Sequence, residues 1–349
     1  MNSLLAMAIA GTIVASPVAS LAVTFGDALQ RPAMQVAHLE RSVLLAAAKA
    51  GSRIVAVGER GIAMYSDDEG ASWRQAQVPT SVSLTAVQFV DPQQGWAVGH
   101  GGTVLASSDG GSSWLMQLDG IRMAVLLEKS AQISENMALL AKAKRLINDG
   151  PDKPLLDLHF VDRLHGIVVG AFGLALSTQD GGKVWMSIAD RLDNPNGFHF
   201  YSLKVRGEKI VIAGEQGLVF LSKDNGISFR KLKIPYSGTF FRAEWLGDQS
   251  ILLAGLRGQI WRSDDLGETW KQENVTVLAS FSASASGAMG SLWLANQTGE
   301  LFAYSGRKLI PMRQVQLPPT AGLLVLDADR LLALTVRGAV IIPLTRGYK

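Results

Sequence analysis

The stretch GWAVGHGGTVLASSDGGSSW (Gly95–Trp114) decides the fold, because the chain repeats its grammar. A β-rich run ends in Gly-x-x-Gly, a second apolar run follows, and a Ser-x-Asp-x-Gly-x-Ser-Trp phrase closes the unit. That closing phrase returns as YSDDEGASW (Tyr65–Trp73), STQDGGKVW (Ser177–Trp185), LSKDNGISF (Leu221–Phe229) and RSDDLGETW (Arg262–Trp270). In each copy a glycine stands seven residues before the central aspartate: Gly61 and Asp68, Gly102 and Asp109, Gly173 and Asp180, Gly217 and Asp224, Gly258 and Asp265. Two later copies, LWLANQTGELFAY and LLALTVRGAVIIP, keep the glycine at Gly299 and Gly338 without the aspartate phrase. Successive spacings are 41, 71, 44, 41, 41 and 39 residues. Seven units of about 40 residues, one interval carrying an insertion of about 30, predict an all-β, seven-bladed β-propeller.

Each unit reads as four strands, a to d, with the aspartate phrase as the turn from c to d. The carboxylates of Asp68, Asp109, Asp180, Asp224 and Asp265 are placed to accept backbone N–H groups of their own loops, and glycine supplies positive φ. The aromatics that follow, Trp73, Trp114, Trp185, Phe229 and Trp270, are expected to pack between neighbouring sheets. Five copies in register mark architecture, since an active site is not built five times. The last unit stops soon after AVIIPL. A strand from Val23–Val36 is expected to complete the seventh blade and close the ring, which would remove exposed sheet edges.

The chain has 349 residues, 48% of them hydrophobic, and 36 glycines, which suits a turn-rich β fold. A net charge of +3 gives no general pull toward nucleic acid. The absence of cysteine excludes disulfides, thiolate metal sites and a cysteine nucleophile. Leu4–Ala15 is a short apolar run, followed by Pro17 and the small-x-small step Ser20-Leu21-Ala22. It predicts a signal peptide over 1–22, export to the periplasm and a mature propeller over 23–349; an uncleaved membrane anchor is the alternative.

Strand direction sorts the turns. The a–b and c–d turns share one face, and the b–c turns and d–a connections share the other. The second face would present Glu59, Arg60, His100, Phe172, Glu215, Gln216, Leu256, Arg257, Gln297, Val336 and Arg337. This mixture of arginine and apolar groups fits a protein contact. The insertion, about 119–150 and between blades 2 and 3, rises from the same face. Met123, Leu126, Ile133, Met137, Leu140 and Ile147 recur near helical spacing, with Ser134 as a cap and Gly150-Pro151 as a stop. One bent helix or a helical hairpin is expected, its apolar stripe docked on the propeller or on a partner. The loops DGPDKP and LDNPNGFHFY, the latter holding His199, belong to this face too.

Little in the chain suggests chemistry. The five histidines, His38, His100, His159, His165 and His199, show no metal spacing. No Gly-x-Ser-x-Gly elbow or phosphate loop is present, and no metal, catalytic residue or cofactor is assigned. A sialidase-type hydrolase would need arginines, from Arg60, Arg242, Arg257 and Arg337, and a tyrosine, Tyr201 or Tyr236, activated by a glutamate. A glycan-binding propeller is the other alternative.

The aspartate phrase is the Asp-box known from sialidases and from many non-enzymatic propellers. The unit Gly95–Trp114, preceded by LTAVQFVDPQQ, closely resembles repeats of the photosystem II stability/assembly factor family, over about Ser42 to Trp270. The resemblance implies a non-enzymatic scaffold that binds a membrane protein or complex by contact. The insertion with DGPDKP and the run RLDNPNGFHFYSL look like a non-photosynthetic bacterial branch that accompanies resistance-nodulation-division exporters. Photosynthetic members carry an arginine-rich patch; here only Arg60, Arg257 and Arg337 fall at plausible positions, and no dense cluster matches the patch, a departure from the photosystem-binding pattern. The partner face implied is Arg60, His100, Phe172, His199, Glu215, Arg257 and Arg337 with Leu126, Met137 and Leu140 of the insertion.

Overall fold

Alternating apolar runs separated by glycine turns give sheets that are buried on both faces, and such sheets stack around an axis. The computed structural model describes residues 25–344, apart from 274, 276, 288, 289 and 306. The signal segment and its cleavage step lie outside the described residues. Seven antiparallel sheets follow one another along the chain, six of four strands and one of three. Their inner strands are Leu44–Ala50, Leu84–Phe89, Leu155–Phe160, Phe200–Arg206, Phe240–Trp245, Phe281–Ser286 and Thr320–Val325. Outer strands are short, for instance Arg74–Gln75 and Lys271–Gln272.

Large side chains fill the space between blades. Trp96 of blade 2 stacks on Phe160 of blade 3 with ring centroids 3.6 Å apart, and Phe160 meets Trp185 edge-on at 6.1 Å. Four of the five Asp-boxes are closed hydrogen-bond sets. In blade 1 Ser66 Oγ and Ser72 N donate to Asp68 Oδ1 at 2.8 Å, and Ser72 Oγ donates to Oδ2 at 2.5 Å. The same contacts surround Asp109, Asp224 and Asp265. Trp114 and Trp185 are buried, and Trp73, Phe229 and Trp270 are half-buried.

The seventh blade departs from expectation. It has three strands, ending at Gly338–Pro343, and 23–36 adds none among the described residues. Instead α1 (Phe25–Gln30) is followed by Arg31-Pro32, where proline disfavours continued helix and supplies no N–H for a ladder. The segment then runs along blade 1, with Ala33 N donating to Val78 O, Ser81 N to Ala28 O and Val36 N to Gln75 Oε1, each at 3.0 Å. The ring closes by side-chain packing, Leu44, Ile54 and Ala56 of blade 1 against Leu326, Leu332 and Leu334 of blade 7.

The insertion is a helical hairpin, α2 (Gly120–Ile133) and α3 (Met137–Asp149). Asp119 caps α2 by accepting Arg122 N at 2.9 Å. Ser134 ends α2 and does not start α3. The chain reverses at Glu135 (φ 51°), so Asn136 is the first residue able to cap α3, accepting Leu139 N at 3.1 Å. Gly150 (φ 88°) stops α3. The apolar stripe divides: Met123, Leu146, Leu126 and Leu127 join the core of blades 2 and 3, whereas Ile133 and Met137 are more than two-thirds exposed, at 75% and 72%.

Candidate partner-binding face

The b–c turns of blades 1 to 5 are single helical turns whose middle residue is left-handed: Arg60 (φ 56°), Gly101 (φ 68°), Phe172 (φ 56°), Gln216 (φ 54°) and Arg257 (φ 55°). An L-residue there costs about 1–2 kcal/mol, which glycine would avoid. Four of five blades therefore keep a side chain where backbone strain argues against one. Those four side chains are exposed, as are His100, Leu256, Val336 and Arg337. Arg60, Arg257 and Arg337 have no side-chain hydrogen bond or ion pair among the described residues, which leaves their charge to solvent or a partner.

A second feature repeats seven times. Near the start of every inner strand the pairing skips one residue, a β-bulge: Leu45, Thr85, Leu156, Tyr201, Phe241, Ser282 and Ala321. These seven, with Arg242 and Gln297, line one cavity of about 240 Å³. One residue from each blade places that cavity on the propeller axis, at the end that carries the b–c turns. Bulges re-aim side chains in this way.

Beside the axis lies a groove of about 780 Å³, walled by α3 (Leu139, Lys142, Arg145, Leu146), the b–c turns of blades 3 and 4, and the Asp190–His199 loop. Lys142 reaches into it with no partner among the described residues, and burial pulls the pKa of its amine down. An aromatic track joins groove to axis. Phe172 meets His199 edge-on at 4.9 Å, His199 lies 6.1 Å from Tyr201, and Tyr201 meets Phe241 at 5.1 Å. Glu215 pins the track from behind. Its Oε2 accepts His199 N at 2.8 Å, its Oε1 stands 2.9 Å from His199 Nδ1, and the Tyr201 hydroxyl donates to Oε1 at 3.4 Å. Burial works to raise the Glu215 pKa, but the His199 contacts outweigh it and hold the carboxyl below its ordinary value. Lys153 lies over Phe172 at 5.4 Å.

The structure thus brings Phe172, His199 and Glu215 together with α3, leaving Arg60, His100, Arg257 and Arg337 on other blades of the same face. Leu126 packs inward, Leu140 is half-buried and Met137 points to solvent. Sequence reading missed the axial collar and Lys142. The collar had one usable signal: each member directly follows the first buried residue of an inner strand. Among the described residues no group of three or more His, Asp or Glu is placed to hold a metal, and no helix is long and apolar enough to cross a membrane.

Fold and face together define a seven-bladed Asp-box propeller whose glycine-turn end carries a groove and an axial cavity. The profile of the family described as photosynthesis system II assembly factor YCF48 matches residues 65–123 and 139–307, and the chain belongs to that family. It is 32% identical over 120 residues to the photosystem II assembly lipoprotein Ycf48 of Synechococcus sp. (strain CC9902), covering 33% of this chain and 35% of that protein. It is 29% identical over 151 residues to the chloroplastic photosystem II stability/assembly factor HCF136 of Oryza sativa subsp. japonica, covering 40% and 36%. The matched segments thus span about a third of the length of those relatives. The solved structure of YCF48 bound to D1 peptide superimposes with a TM-score of 0.65 at 17% identity, covering 90% of this chain and 99% of that one. The WD40 propeller domain of Doa1 gives 0.61 at 11% identity, covering 92% and 97%. Half of the hairpin, residues 124–138, falls in the gap between the two matched segments.

Proposed function

We propose that this chain is an exported, non-catalytic accessory factor that holds a segment of a membrane protein on its turn face while a membrane complex assembles. The observation that carries the reading is the groove under α3, continuous through Phe172, His199 and Tyr201 with the axial mouth. An exposed aromatic held at φ 56°, with a lysine lying over it, is what a docking surface retains and a plain turn would replace with glycine. The partner on this reading is an exporter of the resistance-nodulation-division class, and the location is the periplasm. Both rest on the N-terminal apolar run and on the hairpin and loop motifs that build the groove walls. Relatives described as binding a D1 peptide or assembling photosystem II support the general mode, contact without turnover.

Hydrolysis is the weaker reading. Tyr201 and Glu215 do form the pair a sialidase-type enzyme needs, but of the four candidate arginines only Arg242 lines the cavity of Tyr201. Arg60, Arg257 and Arg337 sit on separate turn tips. A hydrolase would release product from a sialoside and lose that activity in Tyr201→Phe.

The test is site-specific photocross-linking in cells, with the cross-linking residue at Asn196 in the groove or at Ile227, exposed in an Asp-box turn. A single membrane protein captured from Asn196, absent from Ile227 and lost on deleting Ile121–Asn148, is the expected result. Equal capture from both positions, or none from either, overturns the proposal.

A further inference from the structure

Arg242 is the residue after the bulge of blade 5. Its Nε and Nη2 donate to Ser282 O at 2.8 and 2.5 Å, and Nη2 reaches Ala321 O at 3.2 Å. The guanidinium therefore crosses from blade 5 to the bulges of blades 6 and 7 and forms the floor of the axial mouth. Both acceptors are neutral carbonyls. Nη1 has no hydrogen-bond partner, and Arg242 enters no ion pair, among the described residues. The carboxylates deeper along the axis are already engaged. Glu244 accepts from Ser284 and Ser286 at 2.6 and 2.8 Å and pairs with Lys204 at 3.3 Å. Asp157 accepts Leu158 N and Leu203 N at 2.9 and 2.8 Å. At the rim Glu215 is held by His199 and Tyr201.

A part-buried cation without an anion is held at a cost, and an entering anion would relieve it. Burial acts to lower the Arg242 pKa, and only the more distant charges of Asp157 and Glu244 oppose that. The collar around the guanidinium offers an aromatic and aliphatic part, where Tyr201 packs edge-on against Phe241 with Leu45 and Leu156 beside them, and a polar part of Thr85, Ser282 and Gln297, whose two hydroxyls already donate to Leu155 O and Thr320 O. A single free guanidinium nitrogen in a cavity that Tyr201 and Phe241 also line suits a planar carboxylate far better than phosphate, whose extra charge and oxygens need more donors. A cavity of about 240 Å³ admits a side chain and its acid group and no more.

We infer that the axial mouth is a receptor for a carboxylate carried on an apolar or aromatic body, gripped by Arg242 and collared by Tyr201 and Phe241. The site lies on the axis, outside the α3 groove, and stands or falls separately from the occupant of that groove. A free small acid and a carboxylate at the end of a peptide present the same chemistry.

Calorimetric titration of the full chain separates these sources. The probes are N-acetylphenylalanine, its amide, N-acetylneuraminic acid, and a hexapeptide ending in phenylalanine with a free or amidated terminus. The expected result is 1:1 binding of at least one acid, at least tenfold weaker binding of its neutral counterpart, and at least tenfold loss in Arg242→Gln. Preference for the free-ended hexapeptide assigns the peptide source. Preference for the acylamino acid assigns a small aromatic acid, and preference for neuraminate, whose body is polar, overturns the inference of an apolar or aromatic body. Because Arg242→Gln removes an inter-blade brace and could fail to fold, Phe241→Ala at the collar is run beside it, with at least a fivefold loss expected. Equal binding of acid and amide, or no binding of any acid at 10 mM (roughly the weakest affinity such a site would show), overturns the inference.

Discussion

At Arg257 the backbone is left-handed, and the equivalent turn of blade 2 solves the same geometry with Gly101. The Arg257 side chain makes no hydrogen bond or ion pair among the described residues, so it returns nothing for the strain. Arg257→Gly should relieve about 1–2 kcal/mol of strain and lose about 0.5–1 kcal/mol to the greater freedom of glycine when unfolded. The net is a gain of up to about 1.5 kcal/mol, read as a higher urea midpoint at unchanged slope. A lower midpoint would show that the arginine packs usefully after all. His159 carries a different signature. Burial, reinforced by the charge of Lys204, pushes its pKa down to about 4 from 6.5. Unfolded chain therefore takes up the proton near pH 6.5 and the folded chain only near pH 4. The contribution to stability is complete above pH 6.5 and is lost progressively as pH falls toward 4. Urea midpoints at pH 7.5 and 4.5 should differ less in His159→Gln than in the parent, and an unchanged difference would assign the pH response to another group.

The Asp-box is the element that repeats, and one copy is incomplete. Four boxes have a hydroxyl four residues after the aspartate, on Ser72, Ser113, Ser228 or Thr269, donating to Oδ2 at 2.5–2.6 Å. In blade 3 that position is Val184, 60% exposed, and Asp180 has only the backbone N–H of Val184 there, at 2.9 Å. Val184→Ser should restore the missing bond and add about 0.5–1.5 kcal/mol; thermal unfolding of parent and variant checks it, and no gain would mean the loop has settled differently around valine. The boxes also set an acid limit. Hydrogen bonds from Ser72, Ser228 and Thr269 hold Asp68, Asp224 and Asp265 at about 2, below the ordinary 3.8. Their stabilisation is complete above about pH 4 and is lost as pH falls through 2. Melting temperatures should drop steeply between pH 4 and 2, and more gently in Asp224→Asn. A parallel drop in both would place the acid sensitivity elsewhere.

Across the whole ring, what was legible in the sequence is what repeats. Blade number, strand order, Asp-box turns and the place of the insertion all follow from the 41-residue glycine rhythm. The axial mouth was not legible, because its members sit on seven strands far apart in sequence, and a bulge leaves no composition signal. Closure was misread for a related reason: the apolar content of 23–36 suits a strand, but Arg31-Pro32 and the bonds to Val78 and Ala28 commit it to blade 1. The ring then depends on one seam. Leu332 and Leu334, fully buried, face Ile54 and Ala56 across it, and outside them Arg330 pairs with Glu69 at 2.9 Å on the surface. These two layers should differ sharply in weight. Leu332→Ala leaves a void in a seam with no fourth strand to hold it and should cost about 2–5 kcal/mol. Arg330→Ala removes surface pairs to Glu69 and Asp327 that water screens, and should barely move the urea midpoint. Hydrogen exchange separates seam failure from general loosening. Faster exchange in Leu332→Ala should concentrate in blades 1 and 7, with blades 3 to 5 protected, since each blade contacts only its neighbours. Uniform acceleration around the ring would show instead that the seven blades unfold as one unit and that the seam is no weaker than any other junction.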